Sequence, residues 1–323
     1  MTEAEHPTVL VTGALGQIGT ELVSALRDRY GSNSVIASDI REIDSHPVVK
    51  NGPFLTADVL DKEALEVIIN ENNVDIIYHL AAILSATGEQ NPDLCERVNI
   101  GGLANVLELA RVHGLRVFSP SSIAVFGPDC PNHAPQLTPL NPTTTYGETK
   151  VSGEVMARYY WEVHGVDVRG LRYPGLISWK APAGGGTTDY AVDIFHHAVK
   201  TGKYSCFVGP DTRLPMMYMD DAIRATLELM DAPVDSISES RVGYNISGCS
   251  FSVTELVTEI SKVINQFKCT YSPDIRQEYA DSWPDSVDDS EARNDWGWNA
   301  EFELEQLVSE MLTNLTRTRE VEE

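Results

Sequence analysis

The sequence predicts an α/β fold in which a doubly wound parallel sheet is covered by helices on both faces. Short, β-rich apolar runs alternate with longer segments of helical periodicity over the first half of the chain. The predicted strands are almost continuously apolar, which is typical of parallel strands that are buried on both sides. After Pro174 the alternation becomes irregular, and this change predicts a smaller, mixed C-terminal domain.

The elements follow in order from these patterns. The predicted strands are Thr8–Thr12, Ser34–Ser38, Phe54–Ala57, Val74–Leu80, Arg116–Ser119 and Val166–Tyr173. Apolar residues that recur every three or four positions predict helices at Gln17–Tyr30, Lys62–Asn70, Asp93–His113 and Tyr146–His164, with later ones near Tyr190–Lys200, Asp221–Met230, Val253–Gln266 and Leu304–Leu315. The residues from Ser121 to Thr145 are rich in Pro, Asn and Thr, and they predict a loop.

Composition narrows the possible partners. The 323 residues carry a formal net charge of −24, and such a field repels nucleic-acid phosphates and anionic lipid. No apolar run approaches the roughly 18 residues that a membrane span requires. The five cysteines are widely spaced and form no C-x-x-C pair, so we expect neither disulfides nor a metal site. The sequence therefore predicts a small-molecule partner, with no nucleic acid and no membrane.

The first predicted strand leads into a glycine-rich turn, V-L-V-T-G-A-L-G-Q-I-G. Gly13, Gly16 and Gly19 lie between a strand and a helix, where glycine permits a tight turn and close approach of the backbone to a pyrophosphate. The helix would then present free N–H groups and the positive end of its dipole to the phosphates. This pattern predicts a Rossmann-type dinucleotide site. A glycine-rich turn without any ligand is the alternative.

Acidic residues after the next two strands indicate which dinucleotide is bound. Asp39 stands 20 residues after Gly19 and can accept hydrogen bonds from the adenosine ribose, so NAD is favoured over NADP. Arg41 could accommodate a 2′-phosphate, but we interpret it as a side chain that faces solvent. Asp58 could hold the adenine amino group, and a turn or helix-cap role is equally compatible with its position. The small residues of H-L-A-A, which end the fourth strand, would let the dinucleotide lie against the backbone.

A catalytic group is predicted where the fifth strand ends. Tyr146 and Lys150 are four residues apart at a helix start, so they share one face, and Ser122 lies just upstream. Lowering a phenol pKa from about 10 to about 7 requires roughly 4 kcal/mol. One ammonium about 4 Å away supplies about that much at an effective dielectric constant near 20. We therefore expect Tyr146 to act as general base in the oxidation of an alcohol, assisted by Lys150, with Ser122 holding the hydroxyl.

These motifs together resemble the extended short-chain dehydrogenases/reductases nearly from end to end. The shared segments are G-x-x-G-x-x-G at Gly13–Gly19, H-L-A-A, V-N-I-G-G-L-A-N from Val98, S-S-I-A-V-F-G, Tyr146/Lys150 and R-Y-P-G from Arg172. The resemblance implies a homodimer formed through the helices Asp93–His113 and Tyr146–His164. It implies NAD binding by Gly13, Gly16, Gln17, Ile18, Gly19, Asp39, Ile40, Asp58, Val59, Leu80, Ala81, Ala82, Asn99, Tyr146, Lys150 and Tyr173.

Within that family, G-G-G-T-T-D-Y-A-V and L-P-M-M-Y-M resemble the branch of epimerase-like L-threonine 3-dehydrogenases. The resemblance implies oxidation of the threonine β-hydroxyl to 2-amino-3-ketobutyrate, with NADH as the second product. The residues that would face the amino acid are Ser85, Ser122, Tyr146, Gly186, Thr187 and Thr188. Glycines 184–186 would let this segment close on a small zwitterion. It also implies the mitochondrial matrix in a eukaryote, with a leader outside this sequence, and otherwise the cytoplasm.

On this basis residues 1–174 form the NAD-binding domain, which can include segments that cross back near residues 215–247, and residues 175–323 form the substrate-binding domain. A nucleotide-sugar 4-epimerase is the main alternative, since it would use the same Tyr/Lys/NAD machinery. The abundant C-terminal acid makes a nucleoside diphosphate site less favourable. A dehydratase lacks support because Ser122-Ile123-Ala124 stands where that subgroup has T-D-E. A non-catalytic NAD sensor is disfavoured by the intact Tyr/Lys pair.

Overall fold

The computed structural model describes residues 6–181 and 184–322. The strands are β1 (Val9–Thr12), β2 (Val35–Asp39), β3 (Phe54–Thr56), β4 (Ile76–His79), β5 (Arg116–Phe118), β6 (Ser121–Ser122), β7 (His133–Ala134), β8 (Val168–Arg169), β9 (Leu171–Tyr173), β10 (Gly175–Ile177), β11 (Lys203–Cys206), β12 (Arg213–Tyr218), β13 (Tyr244–Asn245), β14 (Cys249–Ser252), β15 (Lys268–Tyr271) and β16 (Ser286–Val287). The helices are α1 (Gln17–Tyr30), α2 (Pro47–Lys50), α3 (Lys62–Asn72), α4 (Ser85–Gln90), α5 (Pro92–Glu96), α6 (Gly102–His113), α7 (Thr145–His164), α8 (Tyr190–Thr201), α9 (Met219–Asp231), α10 (Val253–Val263), α11 (Arg276–Asp281), α12 (Ser290–Trp296) and α13 (Leu304–Glu322).

The main sheet has six parallel strands in the order β3-β2-β1-β4-β5-β8. The chain runs outward from β1 in one direction and then, from β4, in the other. This arrangement confirms the predicted doubly wound α/β fold. The carboxyl ends of β1 and β4 flank the point where the strand order reverses, which is where open α/β sheets bind their ligands.

The sixth predicted strand, Val166–Tyr173, is wrong as a single element. The chain bends at Gly170, so that β8 pairs with β5 in the main sheet and β9 joins a separate sheet in the order β13-β9-β6. A Cβ atom at Gly170 would lie 2.5 Å from the carbonyl oxygen of Ser119 and 2.6 Å from that of Val242. The bend therefore requires glycine, and it brings β9 beside the short strand that contains Ser122.

The long helix predicted at Asp93–His113 is not a uniform α-helix. It consists of α5, a π-helical turn at Arg97–Gly101, and α6. Wide turns of this kind occur frequently at functional sites. Here the turn contains Asn99, which is one of the predicted cofactor residues.

Later parts of the chain pack against the main sheet. Helix α9 lies against α1, and Leu22, Leu26, Ala222 and Leu229 belong to one buried apolar cluster. The remaining strands form small sheets in the orders β10-β12-β14, β11-β15 and β16-β7. The division of the chain at residue 174 stays a prediction. Across residues 6–181 and 184–322, no helix is both long and apolar enough to cross a bilayer.

Candidate active site

The turn from β1 into α1 leaves backbone N–H groups free. Gly16 occupies the N-cap position without a side-chain cap, and the first turn of α1 contains no acidic residue. The first amides of a helix have no intrahelical acceptors, and the dipole makes this end attractive to anions. Gln17 adds a buried side-chain nitrogen, Nε2, for which the described part of the chain supplies no hydrogen-bond partner. These unused donors fit the pyrophosphate of a dinucleotide.

Asp39 closes β2 beside this turn and is buried. Its Oδ2 accepts a hydrogen bond of 3.0 Å from the amide of Leu15, and Arg41 binds both carboxylate oxygens at 2.9 and 3.2 Å. Burial disfavours the charge, but the bonds from Arg41 and the two backbone amides hold the pKa of the Asp39 carboxyl below its usual value. Arg41 is half-exposed, as predicted, yet it is paired with Asp39 rather than free in solvent.

The other residues predicted to contact the adenine half surround the same end of the sheet. Ile40 follows β2 with 64% of its side chain exposed, and such an exposed apolar surface suits a planar base. Asp58 uses Oδ1 to accept a bond of 2.9 Å from the amide of Leu60, which is the turn role weighed above. Val59 is buried against Gly102. Contact of these residues with a dinucleotide stays a prediction.

Asn99 connects the H-L-A-A segment to α7. Its Oδ1 accepts from the amide of Ile83 at 2.8 Å, and its Nδ2 donates to the Ile83 carbonyl oxygen at 3.1 Å and to the Thr149 hydroxyl at 3.1 Å. The preceding residues Leu80 and Ala82 line the cleft described below. Asn99 is thus fully occupied in fixing the cleft wall to the helix that carries Tyr146.

Tyr146 and Lys150 lie in the first two turns of α7, as predicted. Thr144 caps the helix by accepting from the amide of Gly147 at 3.1 Å. The Tyr146 phenol is buried and lines one cleft with Ser122, whose hydroxyl acts to lower the pKa of the phenol. The amine of Lys150 lies 5.6 Å from the centroid of the Tyr146 ring. The structure therefore brings together the three side chains that the sequence assigned to catalysis.

The pKa values of Tyr146 and Lys150 differ from what the sequence led us to expect. Burial raises the pKa of the Tyr146 phenol to about 12, although the hydrogen bond from Ser122 acts in the opposite direction. Burial also lowers the pKa of the Lys150 amine to about 8, against the nearby Cys95 and Glu154, which raise it. The amine donates to the carbonyl oxygen of Pro120 at 2.9 Å rather than to the phenol. In the chain by itself, the positive charge of Lys150 does not offset the rise in the phenol pKa that the burial of Tyr146 causes.

A cleft of about 140 Å³ opens beside these three residues. It is lined by the predicted substrate residues Ser85, Ser122, Tyr146, Gly186, Thr187 and Thr188. Thr187 is buried and tied to Ser85, whose hydroxyl accepts from the Thr187 amide at 3.0 Å and lies 3.1 Å from its hydroxyl. The methyl group of Thr188 rests against Gly175. Its hydroxyl forms no hydrogen bond within residues 6–181 and 184–322.

Asp189 stabilises the glycine turn rather than the start of α8. Its Oδ2 accepts from the amides of Gly185 and Gly186, both at 2.7 Å. Gly185 has a φ of +97°, a conformation that L residues rarely adopt. The carboxylate therefore organises the backbone that presents Thr187 and Thr188, and it does not cap α8.

Two cleft residues differ from what the sequence analysis predicted: Trp283 was not predicted at all, and the hydroxyl of Tyr173 has a partner outside the cleft. Trp283 lies in the acidic stretch D-S-W-P-D-S, yet its ring is buried and lines the cleft. A tryptophan inside an acidic run was the available signal. Tyr173 lines the cleft as predicted for a cofactor residue, but its hydroxyl is hydrogen-bonded to Thr226 of α9.

Known proteins match this chain over most of its length. The NAD dependent epimerase/dehydratase family matches residues 9–246. The mitochondrial L-threonine 3-dehydrogenase of Bos taurus is 51% identical over 96% of this chain and 83% of its own length. A monomeric L-threonine 3-dehydrogenase from a metagenome, in apo form, superposes with a TM-score of 0.93 at 56% identity, covering 96% of this chain and 99% of that one. The holo form of the GalE-like L-threonine dehydrogenase of Cupriavidus necator gives 0.93 at 51% identity, covering 96% and 100%.

The residues of the candidate active site lie within the segment that the family match covers. The matched residues 9–246 include the open amides of α1, the Asp39 carboxylate and the group formed by Ser122, Tyr146 and Lys150. The family match covers more than half of the chain, and the similarity to the threonine dehydrogenases continues beyond the matched residues. The chain therefore belongs to the NAD-dependent epimerase/dehydratase family.

Proposed function

We propose that this chain oxidises the β-hydroxyl of L-threonine to 2-amino-3-ketobutyrate with NAD as acceptor. The observation that carries the proposal is the convergence of Tyr146, Lys150 and Ser122 with the hydroxyls of Ser85 and Thr188 on one small cleft. A general base, a hydroxyl-binding group and small polar groups for a zwitterion are what this reaction requires. The names of the bovine and bacterial relatives point to the same substrate.

The N–H groups of α1 and Gln17 would hold the pyrophosphate of NAD, and Asp39 the adenosine ribose. Leu80, Ala81 and Ala82 would lie along the dinucleotide, beside Lys150 and Tyr173. When bound, NAD supplies the hydride acceptor and a positive charge near the catalytic group. That charge matters because burial alone leaves the Tyr146 phenol with a pKa of about 12.

The side chains have separate tasks in the proposed reaction. Ser122 lines the cleft with Tyr146 and would hold the substrate hydroxyl within reach of the phenol. Tyr146 takes up the hydroxyl proton as general base. Lys150, anchored on Pro120, contributes positive charge that favours the phenolate. The surrounding burial strengthens each of these electrostatic effects by excluding water.

An absorbance assay of NADH formation tests the function. Incubation with NAD and L-threonine should produce NADH, and other β-hydroxy amino acids should react more slowly. One methyl group discriminates by about 1–3 kcal/mol, so slow oxidation of serine is expected. UDP-galactose is the comparison substrate: its epimerisation without any NADH from threonine would contradict the proposal and support the sugar 4-epimerase. Inertness toward both substrates would indicate an NAD sensor.

Thr188 rather than Thr187 should bind the substrate's charged groups. Thr188→Val is expected to raise KM for threonine about tenfold, since a hydrogen bond to a charged group contributes about 1.5–3 kcal/mol. Thr187→Val should instead lower the free energy of unfolding, because it removes one of the two hydrogen bonds that the buried Ser85 hydroxyl makes with Thr187. Steady-state kinetics and urea unfolding of both variants separate the two roles. Equal KM values for Thr188→Val and the parent would exclude a contact with substrate.

We also propose that the chain forms a homodimer through α7. Val155, Tyr159 and Val163 are spaced four residues apart on this helix, so they form one stripe, and each is more than half exposed. Light scattering should give twice the chain mass of 35.6 kDa, and Val155→Arg with Val163→Glu should give single chains. A parent protein that elutes as a single chain at micromolar concentration would contradict the proposal. A monomer is the alternative, because one similar solved structure is described as monomeric.

The proposed location depends on the source organism. The relatives from Bos taurus and Sus scrofa are named as mitochondrial proteins. We assign the chain to the mitochondrial matrix in a eukaryote and to the cytoplasm otherwise. Fractionation of source cells, followed by detection of the protein, tests this assignment.

A further inference from the structure

One turn beyond Lys150, α7 carries a buried carboxylate that the proposed chemistry does not use. Glu154 is 7% exposed, and its Oε1 accepts a hydrogen bond of 2.6 Å from the hydroxyl of Ser121. Ser121 is itself buried and directly precedes Ser122 in β6. The carboxylate thus reaches the neighbour of a catalytic residue, and both serines line the cleft.

Three side chains of α7 hold three consecutive residues, which we call the serine segment (Pro120–Ser122). They are spaced four residues apart and therefore share one face of the helix. Lys150 is bonded to Pro120 and Glu154 to Ser121, and Tyr146 lines the same cleft as Ser122. These contacts hold the serine segment at a defined position along α7. The contact between Ser121 and Glu154 is the one nearest the C-terminus of the helix.

Arg172 fixes the orientation of the Glu154 carboxylate. Its Nε donates to Oε1 at 2.8 Å and its Nη2 to Oε2 at 2.7 Å, so both oxygens are engaged in a bidentate pair. Nη1 of the same guanidinium donates to the Gln136 carbonyl oxygen and to Asn245 Oδ1. Arg172 also stands opposite Ser121 in the pairing of β9 with β6. Because every partner is itself held, the carboxylate cannot turn away from Ser121.

We infer that Glu154 is a positioning residue which, by holding Ser121, sets where the hydroxyl of Ser122 meets the phenol of Tyr146. Consecutive side chains of a strand point to opposite sides, so an anchor on Ser121 determines the direction of Ser122. Errors of about 1 Å in such a contact can lower a rate by about 100-fold. The expected kinetic effects rest on the proposed threonine oxidation. The proposed positioning of Ser122 by Glu154, through Ser121, does not depend on it.

Ser121→Ala is the decisive variant, because it removes one hydroxyl and leaves the pair between Glu154 and Arg172 intact. We expect kcat to fall about tenfold with little change in KM, and the isotope effect with Cβ-deuterated threonine to rise as hydride transfer becomes slower. In a Ser122→Ala background, Ser121→Ala should cause no further loss, since its effect passes through Ser122. A loss of the same size in both backgrounds would overturn the inference.

Ser240→Ala provides a matched control. Ser240 is also buried and donates to a glutamate, Glu291, at 2.6 Å, but it does not line the cleft. We expect its kcat to stay within twofold of the parent. Urea unfolding of Ser121→Ala and Ser240→Ala should show similar losses of stability, so that a drop in kcat confined to Ser121→Ala cannot arise from stability alone.

A second measurement does not require turnover. In protein labelled with ¹³C at the tyrosine ring carbon that bears the hydroxyl, Tyr146→Phe identifies the Tyr146 resonance. Ser121→Ala and Ser122→Ala should both shift that resonance, and Ser240→Ala should not. An unmoved Tyr146 resonance in Ser121→Ala would overturn the inference. A parent protein that leaves threonine unchanged would refute the proposed function, while the resonance would still decide the role of Glu154.

Discussion

Tyr146→Phe is expected to lower kcat for threonine oxidation by about 10³-fold while NAD still binds. The variant removes only the phenol oxygen and keeps the buried aromatic ring in place. Without that oxygen, Lys150 does not take over the role of base, because its amine is turned toward the carbonyl oxygen of Pro120. Initial rates of NADH formation and NAD titration of the parent and variant give the two quantities.

Tyr159→Phe is the control, since it removes a tyrosine hydroxyl from the same helix outside the cleft and keeps the aromatic ring in the proposed dimer stripe. It should retain kcat within twofold. If Tyr146→Phe oxidises threonine as fast as Tyr159→Phe, the phenol is not the base and the assignment of the whole cleft is wrong.

The same assignment predicts how the rate depends on pH. Only the phenolate form of Tyr146 accepts a proton, and burial raises its pKa to about 12 in the chain alone, so lowering the pH removes the base. Below the apparent pKa, kcat/KM should therefore fall about tenfold per pH unit. Lys150→Met deletes a positive charge that favours the phenolate, which should move this rising limb to higher pH. A limb that stays in place would show that Lys150 has no electrostatic role.

Local patterns were sufficient to predict the elements of the proposed dinucleotide site. The helix predicted at Gln17–Tyr30 has the observed bounds, because its apolar face, with Leu22 and Leu26, packs against the sheet in the usual way. The positions of Gly16, Asp39, Tyr146 and Lys150 relative to strand ends also follow from spacing along the chain. Parallel strands bring their carboxyl ends to one edge, so such residues meet without further information.

Contacts between distant segments could not be predicted in this way. The bend at Gly170 depends on carbonyl groups of Ser119 and Val242, which no local pattern relates to one another. The carboxylate of Glu154 meets Ser121 and Arg172 only because the bend aligns β9 with β6. The pKa of Tyr146 also depends on burial by several elements, which the charge of one lysine in the sequence does not reveal.

Gly13→Ala is expected to destabilise the fold by about 3 kcal/mol or more. Gly13 has a φ of +69°, and a Cβ atom there would lie 2.6 Å from the amide nitrogen of Ala81 and 2.7 Å from its Cα. Backbone strain contributes about 1–3 kcal/mol and overpacking a further 1–3 kcal/mol. The atoms in the way belong to the backbone that follows β4, so they cannot move without displacing the H-L-A-A segment. Urea unfolding without added NAD measures the change.

Gly114→Ala separates the two contributions. Gly114 has a φ of +70°, and nothing lies within 4 Å of the position that its Cβ would occupy. It should therefore show the backbone strain alone, about 1 kcal/mol. The excess in Gly13→Ala then measures the close approach of the turn to the end of β4, the contact that places Leu80 and Ala82 along the cleft. Equal losses in the two variants would mean that this approach is not constrained, and that Gly13 serves only the conformation of the turn.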